Sequence, residues 1–105
     1  MSAEIVTEDG RRLSLREINP ADMLDLIEAA GTAAGSAAWM RYALMICSVE
    51  AIDGKPLMMP HTKDGVRELG RKIGNVGIAA LSSYHYPNEA DQAGEDVAER
   101  DQAKN

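Results

Sequence analysis

Aromatic residues and cysteine are scarce in this sequence. Its 105 residues include no phenylalanine, one tryptophan, three tyrosines and one cysteine. The core must therefore be built from leucine, isoleucine, valine, methionine and alanine, which produce an adaptable core. The single cysteine, Cys47, excludes a disulfide within these residues and is consistent with a reducing compartment. A chain of this length with 45% apolar residues provides one domain with one modest core.

Long apolar runs and targeting segments are also missing. The longest weakly polar stretch, residues 29–49, contains Thr32, Ser36 and Ser48, and Arg41 lies near its middle. A charge in that position argues against a membrane span. The first residues lack the basic and apolar segments of a secretory signal. We therefore expect a cytoplasmic protein that does not bind a membrane.

Negative charge is concentrated after Pro87. Of the formal net charge of −6, a net of −4 comes from residues 88–105, which contain six carboxylates and two basic residues. The only branched apolar residue there is Val97, so the segment cannot bury enough surface to offset the entropy of ordering it. The sequence predicts a domain over residues 1–87 and a disordered acidic tail over residues 88–105. The tail either keeps the protein soluble or serves as a binding arm.

Two Asp-Gly pairs, at residues 9–10 and 53–54, predict two short β-hairpins. In the first, the pair supplies the two positive-φ positions of a tight turn, and Leu13 and Leu15 alternate onto one face. In the second, Pro56 restricts the return strand to the edge of a sheet. Residues 53–54 do not form a calcium loop, because one carboxylate beside a glycine lacks the spaced oxygen ligands that Ca²⁺ requires.

The first of four predicted helices is an amphipathic segment after the first hairpin. Asn19 is its N-cap, Pro20 occupies the first helical position, and Gly31 ends it. Its inward face is predicted to carry Met23, Leu24, Ile27 and Ala30.

Three further helices complete the predicted fold. The second covers residues 36–49, the third runs from its cap residue Thr62 to Gly74, and the fourth starts at Asn75 and ends before Pro87. The expected fold is thus a mainly α (α+β) small single domain of about four helices with two short β-hairpins.

The second predicted helix opens the stretch WMRYALMICSVEAIDGKPLMMP, residues 39–60, which holds the tryptophan and four of the six methionines. Apart from Arg41 and Ser48, every side chain over residues 37–49 is apolar, and a helix that is apolar nearly all round must be covered on nearly all sides. Two interpretations stay open: a central core helix, or an interface whose methionine and aromatic side chains repack against a partner. The predicted partner-binding residues are Trp39, Met40, Tyr42, Ala43, Leu44, Met58 and Met59.

Several sequence blocks follow one another in a distinctive order. They are DGRRLSLREINPADMLDLIEAAG, an apolar helix with a tryptophan, CSVEAIDGKP, and, after a proline, VRELGRKIGNVGIAAL. This order resembles that of the tail assembly chaperones of long-tailed bacteriophages and prophages. The similarity covers most of residues 8–81 and is one of overall layout, with no catalytic signature inside it.

The resemblance implies a small, mainly helical protein of the host cytoplasm that binds the long helical tape measure protein during tail assembly. Such a chaperone shields the apolar surface of the tape measure protein and helps recruit the tail tube protein. It often self-associates and is absent from the mature virion. A flexible apolar groove formed by residues 39–49 with Met58 and Met59 would suit this role.

A second interpretation is a helix-turn-helix DNA-binding regulator over residues 66–84. Leu69, Ile73 and the turn residue Gly74 fit such a motif. Its second helix, however, offers mostly valine, glycine, isoleucine, alanine and leucine where base edges and phosphates require polar side chains. The leading interpretation therefore includes no nucleic-acid partner.

Catalytic and metal-binding motifs are missing from the sequence. His61, His85, Cys47 and the scattered carboxylates show no metal-ligand spacing, and no phosphate-binding glycine loop or nucleophile motif is present. Both histidines are interpreted as surface or boundary residues, and Cys47 as a small buried hydrophobic residue. We expect no enzymatic activity, no metal site and no cofactor.

Overall fold

Helices dominate the part of the chain, residues 3–87, that the computed structural model describes. The predicted acidic tail, residues 88–105, lies outside the described residues. The elements follow one another as β1 (Ala3–Val6), β2 (Arg12–Leu15), α1 (Pro20–Ala30), a 3₁₀ segment (Gly31–Gly35), α2 (Ala37–Cys47), β3 (Val49–Ile52), β4 (Lys55–Pro56) and α3 (Lys63–His85). The prediction of a small, mainly helical α+β fold is confirmed for this part of the chain.

The two predicted hairpins are joined into one four-stranded antiparallel sheet with the order β1-β2-β3-β4. The central pair is β2 with β3, in which Leu13 lies opposite Ile52 and Leu15 opposite Val49. Leu13, Leu15 and Val49 are buried in the core, so the alternating leucines anchor the middle of the sheet. The strand that contains Pro56 is an edge strand, as the sequence predicts.

The Asp-Gly pairs at residues 9–10 and 53–54 form different turns. Asp53 and Gly54 both have positive φ, 51° and 79°, and give the predicted two-residue turn between β3 and β4. In the first hairpin only Gly10 has a positive φ, 86°. The predicted tight turn at residues 9–10 is therefore wrong.

The connection between β1 and β2 is wider because Thr7 organises it. Strand pairing ends with Val6 opposite Arg12. The Thr7 hydroxyl accepts the Arg11 N–H at 3.0 Å, and the Thr7 N–H donates to the Arg11 carbonyl at 2.9 Å. These bonds stabilise a loop longer than two residues.

α1 begins as predicted but turns a different face inward. Asn19 accepts the Asp22 N–H at 2.8 Å, and the Asp22 side chain completes a capping box. The buried residues are Leu26 and Ala30, whereas Leu24 is 68% exposed. Ile27 is 42% exposed, so the predicted inward positions of Leu24 and Ile27 are wrong. Two adjacent apolar stripes run along this helix, and the sequence pattern alone does not decide which one packs.

α2 ends at Cys47, two residues earlier than predicted. The helix ends early because the next residues join the sheet. Val49 pairs with Leu15, and the Arg16 N–H donates to the Ser48 carbonyl at 2.7 Å. The chain therefore leaves the helix directly into β3.

α3 contains a break at Gly74, which has φ 70° and ψ 178°. The predicted boundary between the third and fourth helices, at Gly74, coincides with this break. Because helix resumes directly after this one residue, α3 counts as one kinked helix, and the described residues contain three α-helices where about four are predicted. The Arg11 guanidinium donates to the carbonyls of Lys72 at 2.9 Å and Ile73 at 2.6 Å, next to the break. Glycine is required here because a side chain is strained at this φ.

The core lies between the sheet and the helices α2 and α3. Its buried apolar residues come from every layer: Leu13, Leu15, Leu26, Ala43, Met45, Ile46, Cys47, Val49, Val66, Leu69, Ile73 and Leu81. As the composition predicts, it contains aliphatic side chains and methionine, and aromatic residues pack only at its margin.

Candidate partner-binding surface

α2 and α3 pack side by side, and this contact creates the candidate surface. Ser36 caps α2 by accepting the Trp39 N–H at 3.2 Å. Gly70 of α3 permits a close approach, since a Cβ atom at this position would lie 3.2 Å from Cδ1 of Ile46. A groove remains between the exposed edges of the two helices.

We call this depression the α2–α3 groove. It consists of two adjoining parts, of about 370 and 480 Å³, that share Tyr42 and Ile78. The groove is lined by Ala37, Ala38, Arg41, Tyr42, Met45, Ile46, Arg67, Gly70, Arg71, Gly74, Asn75, Ile78 and Ser82. Small and aliphatic residues thus form much of the lining, and arginines contribute its charge.

The charge of the α2–α3 groove is positive. Among the described residues, three arginines line it and no carboxylate does. Arg67 lies 3.7 Å from Asp64, and Arg71 forms an ion pair with Glu68. All four side chains are largely exposed, so each pair contributes little to stability.

Only Tyr42 of the seven predicted partner-binding residues lines this groove. Its side chain is 54% exposed, whereas Ala43 is 1% exposed and belongs to the core. The half-buried residues Trp39, Met40 and Leu44 pack against the core. Neighbouring residues of a helix point about 100° apart, so this run of five cannot share one face.

Met58 and Met59 lie at a separate depression of about 280 Å³, beside the loop after β4. Met58 is 86% exposed and Met59 is half-buried against the core. The α3 residues in this depression are Gly65, Glu68, Leu69 and Lys72. They differ from the α3 residues of the α2–α3 groove, so the structure does not bring both methionines and Tyr42 into one depression.

Leu44 borders a third depression, of about 480 Å³, at the end of α3. Here the buried Ser48 hydroxyl donates to the Met45 carbonyl at 2.6 Å and lies 3.1 Å from Nε2 of His85. Because the Ser48 hydroxyl donates its hydrogen to the Met45 carbonyl, the Ser48 oxygen accepts from the Nε2–H of the His85 ring. Partial burial lowers the pKa of His85. The sequence places His85 at the domain boundary but gives no sign of this link to Ser48.

Arg16 joins β2 to the following strand and loop. Its Nη2 donates to the carbonyl oxygens of Val49 at 3.1 Å and Leu57 at 2.8 Å, while its buried Nε has no protein partner. No local sequence signal indicates these contacts, since Leu57 lies 41 positions away. Arg16 therefore acts as a structural connector.

Cys47 is fully buried, which confirms its interpretation as a small hydrophobic residue. Burial raises the pKa of its thiol to about 11, and the positive charge of Arg16 opposes that rise. The thiol is therefore protonated at neutral pH and is a poor nucleophile.

The segment proposed as a helix-turn-helix, residues 66–84, lies within α3. Its only non-helical residue is Gly74, whereas the motif joins two helices through a turn of three or four residues. Gly77 and Leu81, in the would-be recognition helix, are buried. This geometry gives base edges little to contact.

Residues 3–87 show neither a cluster of metal-ligand side chains nor a membrane-spanning helix. In that range no three histidine, cysteine or carboxylate side chains are grouped so as to hold a metal ion. None of the helices found there has both the length and the apolar character needed to cross a membrane. Comparisons of the chain with protein-family models, curated proteins and solved structures return no match.

Proposed function

We propose that this protein is a phage tail assembly chaperone that binds a helical segment of the tape measure protein in the α2–α3 groove. It acts by binding and performs no catalysis. The single observation that carries the proposal is the groove itself, which presents Tyr42, Ile46 and Ile78 beside three arginines. The block order that resembles tail assembly chaperones supports the same class of protein.

A helix fits this groove by size and chemistry. α2 has 11 residues, which corresponds to a length of about 16 Å. Two turns of a bound amphipathic helix would place anchors at positions i, i+3 and i+7 along that length. Gly74 leaves space for a side chain of the guest, because no atom lies within 4 Å of where its Cβ would be. Acidic residues that flank the apolar stripe of the guest would meet Arg67 and Arg71.

The proposal includes the wider role that the resemblance implies. The chaperone shields the tape measure protein in the host cytoplasm, helps recruit the tail tube protein and is left out of the mature virion. Self-association would use a different surface, such as the exposed stripe of Leu24 and Ile27 on α1. That arrangement leaves the α2–α3 groove open for the tape measure protein.

Co-expression with the tape measure protein of the same phage genome tests the proposal. We expect the tape measure protein to become soluble and to co-purify with this chain. Tyr42→Glu should abolish co-purification, because it places a carboxylate in the apolar part of the groove. Tyr84→Glu is the matched control, since Tyr84 is 47% exposed and lies outside the groove.

Two outcomes would refute the proposal. One is a tape measure protein that stays insoluble while this chain purifies alone. The other is equal loss of co-purification in the Tyr42 and Tyr84 variants, which would remove the groove from the interaction. Binding of duplex DNA at about 0.15 M salt that Arg67→Gln abolishes would instead favour the DNA-binding interpretation.

A further inference from the structure

The helix α3 is bent at Gly74, where φ is 70° and ψ is 178°. This combination of backbone angles is open in practice only to glycine. Glycine also adopts helical φ values, however, so Gly74 permits the bend without imposing it. Another group must hold α3 in the bent form.

Arg11, in the loop between β1 and β2, supplies that group. Its Nη1 donates to the carbonyl of Lys72 at 2.9 Å, and its Nη2 donates to the carbonyl of Ile73 at 2.6 Å. In an unbroken helix these carbonyls would accept from the N–H groups of residues 76 and 77. Kinks form where a side chain inserts into this series of hydrogen bonds. Bonds from a charged donor are roughly twice as strong as neutral ones, so the guanidinium favours the bent form over the continuous helix.

The loop between β1 and β2 fixes the guanidinium in this position. Nε of Arg11 lies 3.1 and 3.2 Å from the two carboxylate oxygens of Asp9 and donates to them. The Thr7 hydroxyl donates to the same carboxylate. The hydrogen bond from Thr7 and the contacts with Arg11 lower the pKa of Asp9, so this carboxylate is ionised at neutral pH. All three guanidinium nitrogens are thus engaged, two on α3 and one on the loop.

Gly77 gives Arg11 room beside α3. A Cβ atom at residue 77 would lie 2.5 Å from Cγ2 of Ile73 and 3.5 Å from Nη2 of Arg11. The first distance is too short for a Cβ contact, so a larger residue would displace Ile73, whose carbonyl Arg11 binds. The two glycines therefore differ in their tasks: Gly74 allows the break, and Gly77 allows the guanidinium to pack against it.

The bend lies in the wall of the α2–α3 groove. Gly74 lines the part of about 480 Å³, with Gly70 before it and Ile78 after it. Ile78 also lines the second part of the groove. The direction of α3 after Gly74 therefore decides where Ile78 lies relative to Tyr42.

We propose that Arg11 is the positioning residue of the α2–α3 groove: by holding α3 bent at Gly74, it places Ile78 for contact with the partner. Arg11 does not line the groove itself, so it acts through α3. Without the guanidinium, the two carbonyls return to helical N–H groups, α3 straightens and Ile78 moves. The effect on the partner rests on the function proposed above, whereas the bend does not.

The backbone chemical shifts of Gly74 test whether Arg11 holds the bend, because they report φ and ψ at this residue. Arg11→Met removes every donor of the side chain and keeps an apolar stem, so the Cα shift of Gly74 should move to a helical value. Gly74→Ala should also give a helical value at residue 74, since alanine is strained at φ 70° and its Cβ would meet no atom within 4 Å.

Arg12→Met is the matched control, because it removes the same charge from the exposed neighbouring position. It should leave the Gly74 shift unchanged. A Gly74 shift that stays non-helical in Arg11→Met overturns the proposal, even if the variant unfolds at a lower temperature, because Arg11 would then only stabilise the fold. If Arg11→Met does not fold, Arg11→Gln is measured instead, with the same expected and opposing results.

The affinity for the tape measure protein tests the effect on the groove. Arg11→Met and Gly74→Ala should each weaken binding roughly tenfold, as for the loss of one anchor contact, and Arg12→Met should bind normally. The double variant should lose no more than either single variant, because both changes act on the same bend.

Two results would refute the positioning role: losses that multiply in the double variant, or unchanged affinity in a variant whose bend is shown to be lost. If the unsubstituted chain does not bind the tape measure protein, the proposed function fails. The chemical shifts of Gly74 then decide alone whether Arg11 holds the bend.

Discussion

The two sides of α2 differ in burial although both are largely apolar in sequence. On its buried side, Ala43 and Cys47 are almost completely shielded and contact the core. On its open side, Ala38, Arg41 and Tyr42 line the α2–α3 groove. A helix with apolar residues on nearly every side is therefore not necessarily buried on every side. The following predictions test how sharply the two sides differ, from the largest expected effect to the smallest.

Ala43→Glu should cause the largest loss. A carboxylate introduced at a position that is 1% exposed has no partner there, and losses above about 4 kcal/mol arise from such changes. Because a domain of this kind has a total stability of about 5–15 kcal/mol, we expect loss of cooperative unfolding in urea. Ala38→Glu, on the exposed side of the same helix, should fold normally. Comparable unfolding curves for both variants would contradict the distinction between the two sides.

Ile73→Ala tests the α3 contribution to the buried side. Ile73 is fully buried, and the cavity left by its side chain should cost about 3–4 kcal/mol in the free energy of unfolding. Urea denaturation measures this difference. Ile27→Ala is the control, because Ile27 is 42% exposed and its truncation should cost less than about 1 kcal/mol. A small loss at Ile73 would show that the core there is loosely packed.

Cys47 should make the buried side sensitive to alkaline pH. Burial raises its pKa from 9.0 to about 11, so the unfolded chain loses the thiol proton first. The contribution of the protonated thiol to the free energy of unfolding is fully present below about pH 9. It is lost as the pH rises toward about 11, and the loss is no more than about 3 kcal/mol.

Chemical denaturation between pH 8 and about pH 10.5 measures this dependence on pH. In the Cys47→Ala variant, the change in the free energy of unfolding with pH comes from all other groups. The difference between the two proteins gives the contribution of the Cys47 thiol. Parallel pH profiles would mean that the thiolate is accommodated in the folded protein.

Tyr42→Glu should have the smallest effect on stability. Its side chain is 54% exposed, so the free energy of unfolding should change by less than about 0.5 kcal/mol. The same variant should lose the partner, which separates binding from folding. Thermal unfolding followed by circular dichroism provides the measurement. A loss above about 2 kcal/mol would place Tyr42 in the core and remove the open side of α2.

Part of the candidate site could be predicted from the sequence. The scarcity of polar residues over residues 37–49 predicts a core or interface helix there, and Tyr42 is among the predicted partner-binding residues. The arginines of α3 and the glycines Gly70 and Gly74 were not, because they lie more than 20 positions from Tyr42 and meet it only when the helices pack. Met58 and Met59 were grouped with α2 by composition, yet they lie at another depression.

Local signals in the sequence determined where several elements begin and turn. The Asn19 cap, the Ser36 cap and the turn at residues 53–54 each depend on hydrogen bonds or φ values within a few residues. Such interactions are encoded in neighbouring side chains, so they can be read without the fold. The charge difference between residues 88–105 and the rest of the chain was likewise fixed by the sequence.

Only the tertiary structure decided which faces are covered. Leu24 and Leu26 have the same chemistry and lie on the same helix, yet one is exposed and the other buried. The joining of two hairpins into one sheet depends on the pairing of Leu15 with Val49, 34 positions away. The physical reason is that burial depends on contacts between segments that are distant in the sequence. The conformational entropy lost and the free energy gained by burying apolar surface are determined by the packing of the whole domain.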